Sequence, residues 1–295
     1  MIKKTLVFWM LILFSGCSNP RAMFEIEAKK LVAPTNIPLK NTSKGADKFL
    51  WDFGNGSYST DQNPSIIYRF SGNYKLQLTA FRKDKSSTIS KEIQVLAPDN
   101  CLVHIETNKG SMLVNLLNET PKHQDNFIKL VENDFYENTM FHRVISGFMI
   151  QGGDPDSKGA SQSIRLGNGG PGYTISNEIH TNHFHIKGAL AAARMSDDIN
   201  PNKESSGSQF YLVQGRILDS ENLEIFEAQK NIYYNEKYKN IYQTLGGAPQ
   251  LDMEYTVFGQ LIEGFEVLDL ISSTPTDLND RPKEDIIILK TFVIK

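Results

Sequence analysis

The stretch Phe141 to Pro155, FHRVISGFMIQGGDP, gathers the side chains with the widest chemical scope in this 295-residue chain. Phe141, Val144, Ile145, Phe148, Met149 and Ile150 supply apolar wall. Arg143 and Gln151 supply polar heads, and Gly147, Gly152 and Gly153 let the backbone turn closely. Mostly apolar lining with a few placed donors is the composition of a ligand pocket. Its chemistry is recognition and polarisation, because arginine stays charged and presents a rigid fork of N–H donors. Two other clusters point less far. His180, His183 and His185 lie close together, but His183 and His185 alternate by two and no nearby cysteine completes a ligand set. A solvated loop is expected there, and no metal. Gly167 to Gly172, GNGGPG, lacks the following lysine and the strand-to-helix setting of a phosphate cradle, and reads as a loop.

The same stretch is followed by GALAAAR (Gly188 to Arg194), SGSQFYLV (Ser206 to Val213) and YTVFGQLIEG (Tyr255 to Gly264). In this order the four motifs resemble the cyclophilins, over roughly Asn100 to Lys295. The resemblance implies a peptidyl-prolyl cis-trans isomerase that uses no cofactor. It implies that Arg143 points at the prolyl amide and that Gln151 and Gln209 orient the arginine and the substrate. Phe148, Met149, Tyr211 and Leu251 match the family's proline pocket, with Tyr255 beside it, and the backbone at Ala193 and Arg194 matches the strip that pairs with the peptide. Read without the resemblance, each apolar member of this set is ordinary core. His142 reads as structural, since the reaction transfers no proton.

Four positions depart from the family's usual pattern. Tyr211 stands for phenylalanine, adding a hydroxyl at the pocket floor that needs a partner or water. Gln250 stands where many members have tryptophan, and Tyr255 where they have histidine. Ala192 replaces a bulkier methionine and is expected to widen the back of the pocket. The change at Gln250 predicts weak binding of cyclosporin, the family's cyclic peptide inhibitor, rather than lost catalysis.

The elements that must position these residues are legible as periods. Met112, Val114 and Leu116 alternate with Leu113, Asn115 and Leu117 after an Asn108-Lys109-Gly110 turn, the second arm of a hairpin begun at Leu102. Thr120 is placed to cap a helix with Pro121 in its first turn and Phe127, Leu130 and Val131 on one face. Short strands and Gly-rich loops follow, so the expected fold is all-β dominated: a closed antiparallel barrel flanked by helices, as the resemblance implies. A charged, tyrosine-rich insertion, about 219–248, interrupts it. There Tyr238, Ile241, Tyr242 and Leu245 have helical spacing before the Gly246-Gly247 stop. A helical pair is expected, either covering the barrel or forming a lip over the pocket.

Ahead of the barrel (98–295), residues 24–97 read as a sandwich of short strands. Tyr74, Leu76, Leu78 and Ala80 alternate with Lys75, Gln77 and Thr79. WDFGNG (Trp51 to Gly56), with Asn63-Pro64, Tyr68, Gly72 and Tyr74, resembles the immunoglobulin-like PKD (polycystic kidney disease) domain. Nothing in it assembles a nucleophile or metal ligands. It reads as a spacer or as a module that binds an envelope component.

Residues 1–16 read as a signal peptide: Lys3 and Lys4, an apolar run from Leu6 to Phe14, then Ser15-Gly16. The run is far shorter than the ~20 residues of a membrane span. Phe14-Ser15-Gly16-Cys17 resembles a bacterial lipobox, which implies lipidation at Cys17 and a lipid anchor, before a linker at 17–23. The expected location is the cell envelope, on the periplasmic side, with the outer membrane weakly preferred because Ser18 is not aspartate. With Cys17 lipidated, Cys101 has no disulfide partner and reads as a small buried hydrophobe. Residues 18–98 carry 12 Lys+Arg against 7 Asp+Glu, and 99–295 carry 17 against 27. No basic stripe interleaved with aromatics appears, so no nucleic acid is expected as partner. The expected partners are proline-containing segments of exported proteins. The rival reading is a catalytically weak chaperone or scaffold that holds such segments.

Overall fold

The computed structural model describes residues 19–27, 31–33, 35–68, 71–96 and 101–294. The expected signal peptide, Cys17 and Ser18 lie outside them. The chain divides after Leu96 into two compact units.

The first unit is built from strands β1 (Phe24–Ile26), β2 (Thr35–Asn41), β3 (Lys48–Asp52), β4 (Tyr58–Ser59), β5 (Ser65–Tyr68), β6 (Gly72–Arg82) and β7 (Lys85–Val95). They form two antiparallel sheets, ordered β1-β2-β5 and β4-β3-β6-β7. The alternation along β6 sends Leu76, Leu78 and Ala80 into a core shared with Phe24, Ile37, Leu39, Trp51 and Phe53. Two buried aromatics satisfy their polar ends: Trp51 Nε1 donates to Asp61 O at 3.0 Å and the Tyr68 hydroxyl to Phe53 O at 2.7 Å. In the WDFGNG turn Gly54 has φ +71°, and a Cβ there would meet the Lys75 backbone at 2.8 Å. Asn55 holds the turn from its far side, its Oδ1 accepting from Ser57 N at 3.0 Å.

The second unit opens with the expected hairpin, β8 (Cys101–Thr107) and β9 (Gly110–Leu116), followed by α1 (Pro121–Glu132), β10 (Arg143–Ile145), β11 (Met149–Gly152), β12 (Thr174–Ile175), β13 (Ala189–Ala192), β14 (Ser205–Ser206) and β15 (Phe210–Val213). The insertion then supplies α2 (Ser220–Lys230) and α3 (Glu236–Thr244), and β16 (Val257–Glu263), α4 (Phe265–Ser272) and β17 (Ile288–Ile294) complete the chain. Eight strands form one curled antiparallel sheet in the order β10-β11-β15-β13-β16-β9-β8-β17.

This sheet is not the closed barrel expected. Its edge strands β10 and β17 share no ladder; the chain just ahead of each is joined by an isolated bridge, Met140 to Ile287, with Phe141 N donating to Ile286 O and Ile288 N to Thr139 O, both at 2.9 Å. The reason lies at β10, which is three residues long and whose outer edge is taken by a loop: Val144 N donates to Asp280 O at 2.8 Å. The helix α1 also departs from expectation. Thr120 sits at its N-cap, but its hydroxyl donates back to Leu117 O. The free amides of Lys122 and His123 are instead accepted by the Glu178 carboxylate, at 3.1 and 3.0 Å. A carboxylate at a helix N-terminus answers both the unpaired N–H groups and the helix dipole.

The insertion is the expected helical pair, with capping side chains Asp219 and Asn235 and a small core of Phe184, Leu223, Tyr234 and Tyr242. Leu245, expected on the buried stripe, is 56% exposed, because α3 ends at Thr244 and the chain turns away. No helix among the described residues is long and apolar enough to cross a membrane.

Candidate functional site

Register across the sheet assembles the site. Arg143 on β10 lies opposite Gln151 on β11, Gln151 opposite Tyr211 on β15, Tyr211 opposite Ala191 on β13, and Ala191 opposite Val257 on β16. Residues directly opposite one another share a face, so one row carries the cation, the amide and the pocket floor. The flanking row of the same face is Ile145, Met149, Val213 and Ala189, because alternate residues along a strand return to one side. Met149, Ala189, Ala191, Tyr211, Val213, Ala248 and Val257 make up a buried cluster, edged by the half-buried Phe148, Ala193, Leu251 and Tyr255. The expected pocket residues Phe148, Met149, Tyr211, Leu251 and Tyr255 are therefore brought together, Leu251 by a short turn of 3-10 helix, Pro249–Leu251.

Ala192 is not part of this face. Its neighbours in the chain, Ala191 and Ala193, pack with the cluster, and Ala192 lies with Phe127, Phe210 and Phe258 on the other side of the sheet. The expected widening of the pocket at this position is therefore corrected.

The polar groups are each held. The Arg143 guanidinium gives its Nε to Asp280 Oδ2 at 3.3 Å, both side chains about two-fifths exposed. Gln151 Nε2 donates to Gln209 Oε1 at 3.0 Å, and Gln209 Nε2 donates to the carbonyls of Gly167 and Gly169 at 3.0 and 2.8 Å. The side-chain partner of the arginine is thus Asp280, and the two glutamines bind each other and the Gly-rich loop. That loop is further pinned by Asp154, whose Oδ2 accepts from Gly167 N. Asp154 can come so close because Gly153 has φ +85° and packs its backbone on Ser208, leaving no room for a Cβ.

Two clefts meet at Gln151 and Gly167. The larger, about 690 Å³, runs past Gly169, Thr174, Ala193, Arg194 and Gln209. The smaller, about 400 Å³, runs past His142, Arg143, Arg165 and Asp280. Ala193 uses its own backbone internally, its N donating to Gln209 O and its O accepting from Ser206 N, at 3.0 and 2.8 Å. The Arg194 side chain is 5% exposed: its Nε donates to Glu254 O at 2.9 Å and its guanidinium lies 4.6 Å over the Tyr255 ring. Glu254 also pairs with Lys203 and, at 3.6 Å, with Lys230 at the end of α2. Burial opposes its ionisation, but the hydrogen bond and charge of Lys203 prevail and hold its carboxyl below the usual range. His142 is buried, neither ring nitrogen has a hydrogen-bond partner, and burial lowers its pKa.

The histidine cluster is not the solvated loop expected. The His180 and His183 rings lie 4.7 Å apart, tilted at 33°, but His185 is fully buried. Its Nε2 lies 3.0 Å from the Tyr211 hydroxyl and its Nδ1 2.8 Å from Asp252 Oδ1, so the phenol at the pocket floor has a protein partner. Burial pushes the Tyr211 pKa well above that of an ordinary phenol. Sequence reasoning missed Glu178, His185, Asp252 and Asp280, and a pairing signal existed only for Tyr211, whose extra hydroxyl demanded one. Among the described residues no group of three or more His, Cys, Asp or Glu could hold a metal ion.

Comparison with known proteins gives the following. The family model described as cyclophilin type peptidyl-prolyl cis-trans isomerase/CLD matches residues 102–293, and that of the PKD domain matches 23–95. A Staphylococcus haemolyticus protein named "Putative peptidyl-prolyl cis-trans isomerase" is 36% identical over 207 residues, which is 68% of this chain and 93% of that protein. A Streptococcus pyogenes protein named as a bifunctional phosphatase/peptidyl-prolyl cis-trans isomerase is 38% identical over 193 residues, 63% of this chain and 37% of that protein. A crystal structure of a Cryptosporidium parvum cyclophilin type isomerase is 29% identical, with a TM-score of 0.48, covering 66% of this chain and 98% of that one.

Proposed function

This chain belongs to the cyclophilin-type peptidyl-prolyl cis-trans isomerase family, and we propose that it accelerates isomerisation of Xaa-Pro bonds in exported proteins at the face formed by Arg143, Gln151 and Tyr211. Amide resonance sets a barrier of roughly 18–20 kcal/mol, and uncatalysed exchange takes ~10 to 100 s. At the transition state the amide is twisted, its nitrogen regains a lone pair, and no bond to a nucleophile forms. A catalyst has only to bind that twisted amide better than either planar isomer.

The observation that carries the reading is the row itself. The half-buried Phe148 and Leu251, packed over the buried Met149 and Tyr211, take the prolyl ring, and Arg143, in register with Gln151, stands at the rim where the twisted nitrogen would lie. With Nε occupied by Asp280, the terminal N–H groups of Arg143 are the donors for the altered amide. Gln151, its NH2 held by Gln209, offers its carbonyl oxygen to the peptide backbone, and Arg194 supplies backbone at the edge of the larger cleft. The test is the cis-to-trans rate of a short Xaa-Pro peptide with the wild-type chain and with Arg143→Ala. Acceleration that collapses in the variant supports the reading. A folded wild type that binds the peptide without accelerating it establishes the scaffold instead.

The setting is part of the proposal. The leader 1–16 directs export, and lipidation at Cys17 anchors the chain in the envelope, with the PKD unit as a spacer before the isomerase. Its support is the order of charged, apolar and small residues ending at Cys17. Radiolabelled palmitate incorporated by wild type and not by Cys17→Ala, with loss of the variant from the membrane fraction, is the expected result. Equal membrane association of both would remove the anchor.

A further inference from the structure

We propose that the helical insertion sets the floor of the proline pocket through a buried relay, in which Tyr234, Tyr242 and Asp252 act as positioning residues for His185 and, through it, for Tyr211. The inference rests on the isomerase reading of the pocket.

The relay is continuous. Tyr234, between α2 and α3, and Tyr242, on α3, each donate a hydroxyl to Asp252 Oδ2 at 2.6 Å. The other carboxylate oxygen of Asp252 accepts from His185 N at 2.7 Å and lies 2.8 Å from His185 Nδ1. His185 Nε2 then meets the Tyr211 hydroxyl at 3.0 Å. Tyr234, Tyr242, Asp252 and His185 are fully buried, and Tyr211 is 5% exposed.

The direction of each hydrogen bond follows from what each group can do. A carboxylate only accepts, so Nδ1 of His185 carries the proton that faces Asp252. With the ring neutral, Nε2 accepts and the Tyr211 O–H donates to it; with an imidazolium, Nε2 donates instead, and in both cases the hydroxyl faces His185. The phenol is thereby turned away from the pocket, and its ring presents a fixed edge and face to the prolyl ring. Tyr255 holds the same ring edge-on, at 5.9 Å and 84°.

Burying a carboxylate, an imidazole and three hydroxyls gains no more burial than phenylalanines and leucines of the same volume would give. A fully satisfied buried network does something apolar packing does not: it admits one arrangement and rejects its neighbours. This network begins on the insertion and ends on a pocket residue that carries a hydroxyl. The insertion is accordingly a support built into the pocket rather than a lip over it.

The test is a double-mutant cycle in the full chain, with Tyr242→Phe and Tyr211→Phe, each removing one hydroxyl and leaving ring volume intact. Tyr242→Phe is expected to lower kcat/KM for a short Xaa-Pro peptide by roughly threefold to tenfold, and to do so no longer once Tyr211 is phenylalanine. The imidazole ¹⁵N signals of His185 should show a protonated Nδ1 in wild type, with the Nε2 signal moving in Tyr211→Phe. Equal losses in both backgrounds, or none, with intact thermal unfolding, overturn the proposal, since a merely structural role lowers stability without coupling to Tyr211. Tyr234→Phe provides a second, independent cycle should Tyr242→Phe fail to fold. If wild type shows no turnover, the isomerase reading fails and this one does not. The same cycle is then read in the affinity for the proline peptide, with the same two outcomes.

Discussion

Removing the Asp280 carboxylate should slow catalysis while leaving the fold almost untouched. Asp280 accepts from Arg143 Nε at 3.3 Å, with side chains 43% and 41% exposed, and its backbone has φ +64°. Glycine adopts that conformation without penalty, so Asp280→Gly deletes the carboxylate and keeps the carbonyl that accepts from Val144 N. An exposed ion pair is worth about 0–1 kcal/mol, and left-handed backbone costs a non-glycine residue roughly 1–2 kcal/mol. The two offset, and Tm should move by no more than a few degrees. Turnover has no such offset. A free arginine side chain carries about 2 kcal/mol of rotamer entropy, which Asp280 removes before substrate arrives. Losing all of that order would cost ~30-fold in kcat/KM at 1.36 kcal/mol per decade. Because Arg143 is only partly constrained, roughly threefold to tenfold is expected. The assay is cis-to-trans relaxation of a short Xaa-Pro peptide at low and high salt. Near 1 M salt, where screening acts within ~3 Å, wild type should fall toward the variant and the variant should hardly respond. An unchanged rate in a folded Asp280→Gly protein refutes the reasoning, and a faster one shows that Asp280 restrains the arginine from its substrate.

Three further outcomes follow from the geometry. Glu178→Gln should destabilise the isomerase unit by about 1–3 kcal/mol, measured by urea unfolding, because two helix amides and a buried histidine lose their carboxylate. Burial alone would raise the Glu178 pKa, but hydrogen bonds from the His123 side chain, the His123 amide and the Lys122 amide prevail and lower it. Its contribution is therefore present above the unfolded value near pH ~4.3 and is lost as pH falls through the depressed folded value. Glu178→Gln should remove that part of the acid transition. Trp51→Ala, at a fully buried site, should unfold the PKD unit at a cost of about 3–5 kcal/mol, and peptide turnover should stay within twofold if that unit is a spacer. Cyclosporin should bind weakly to wild type and more tightly to Gln250→Trp, by isothermal titration, since Gln250 is exposed beside Leu251 where the aromatic would lie. A nanomolar wild-type complex would contradict this.

Local order determined a great deal. Period-2 alternation in 112–117 and 74–80 placed the buried faces of β9 and β6 before any contact was known, because a strand's side chains cannot do otherwise. The 141–155 motif likewise put Arg143, Phe148, Met149 and Gln151 on one hairpin, and alternation alone gives three of them a common side. Helical spacing marked Tyr242 as buried within the insertion. Tertiary structure decided the partners. Asp280 lies 137 residues from Arg143, Glu178 lies 55 from His123, Asp252 lies 67 from His185, and His185 lies 26 from Tyr211. No periodicity links such pairs, since each depends on which loops meet once the sheet has curled. His185 illustrates the limit. Its neighbours in sequence made it one of three loop histidines, whereas its burial follows from the insertion folding over it and from Asp252 returning beside it. The open seam between β10 and β17 has the same origin, because a loop from 277–281 reaches the β10 edge and leaves no ladder for β17 to join. Pattern specifies which face of an element is buried; only the closed arrangement of elements specifies what that face meets.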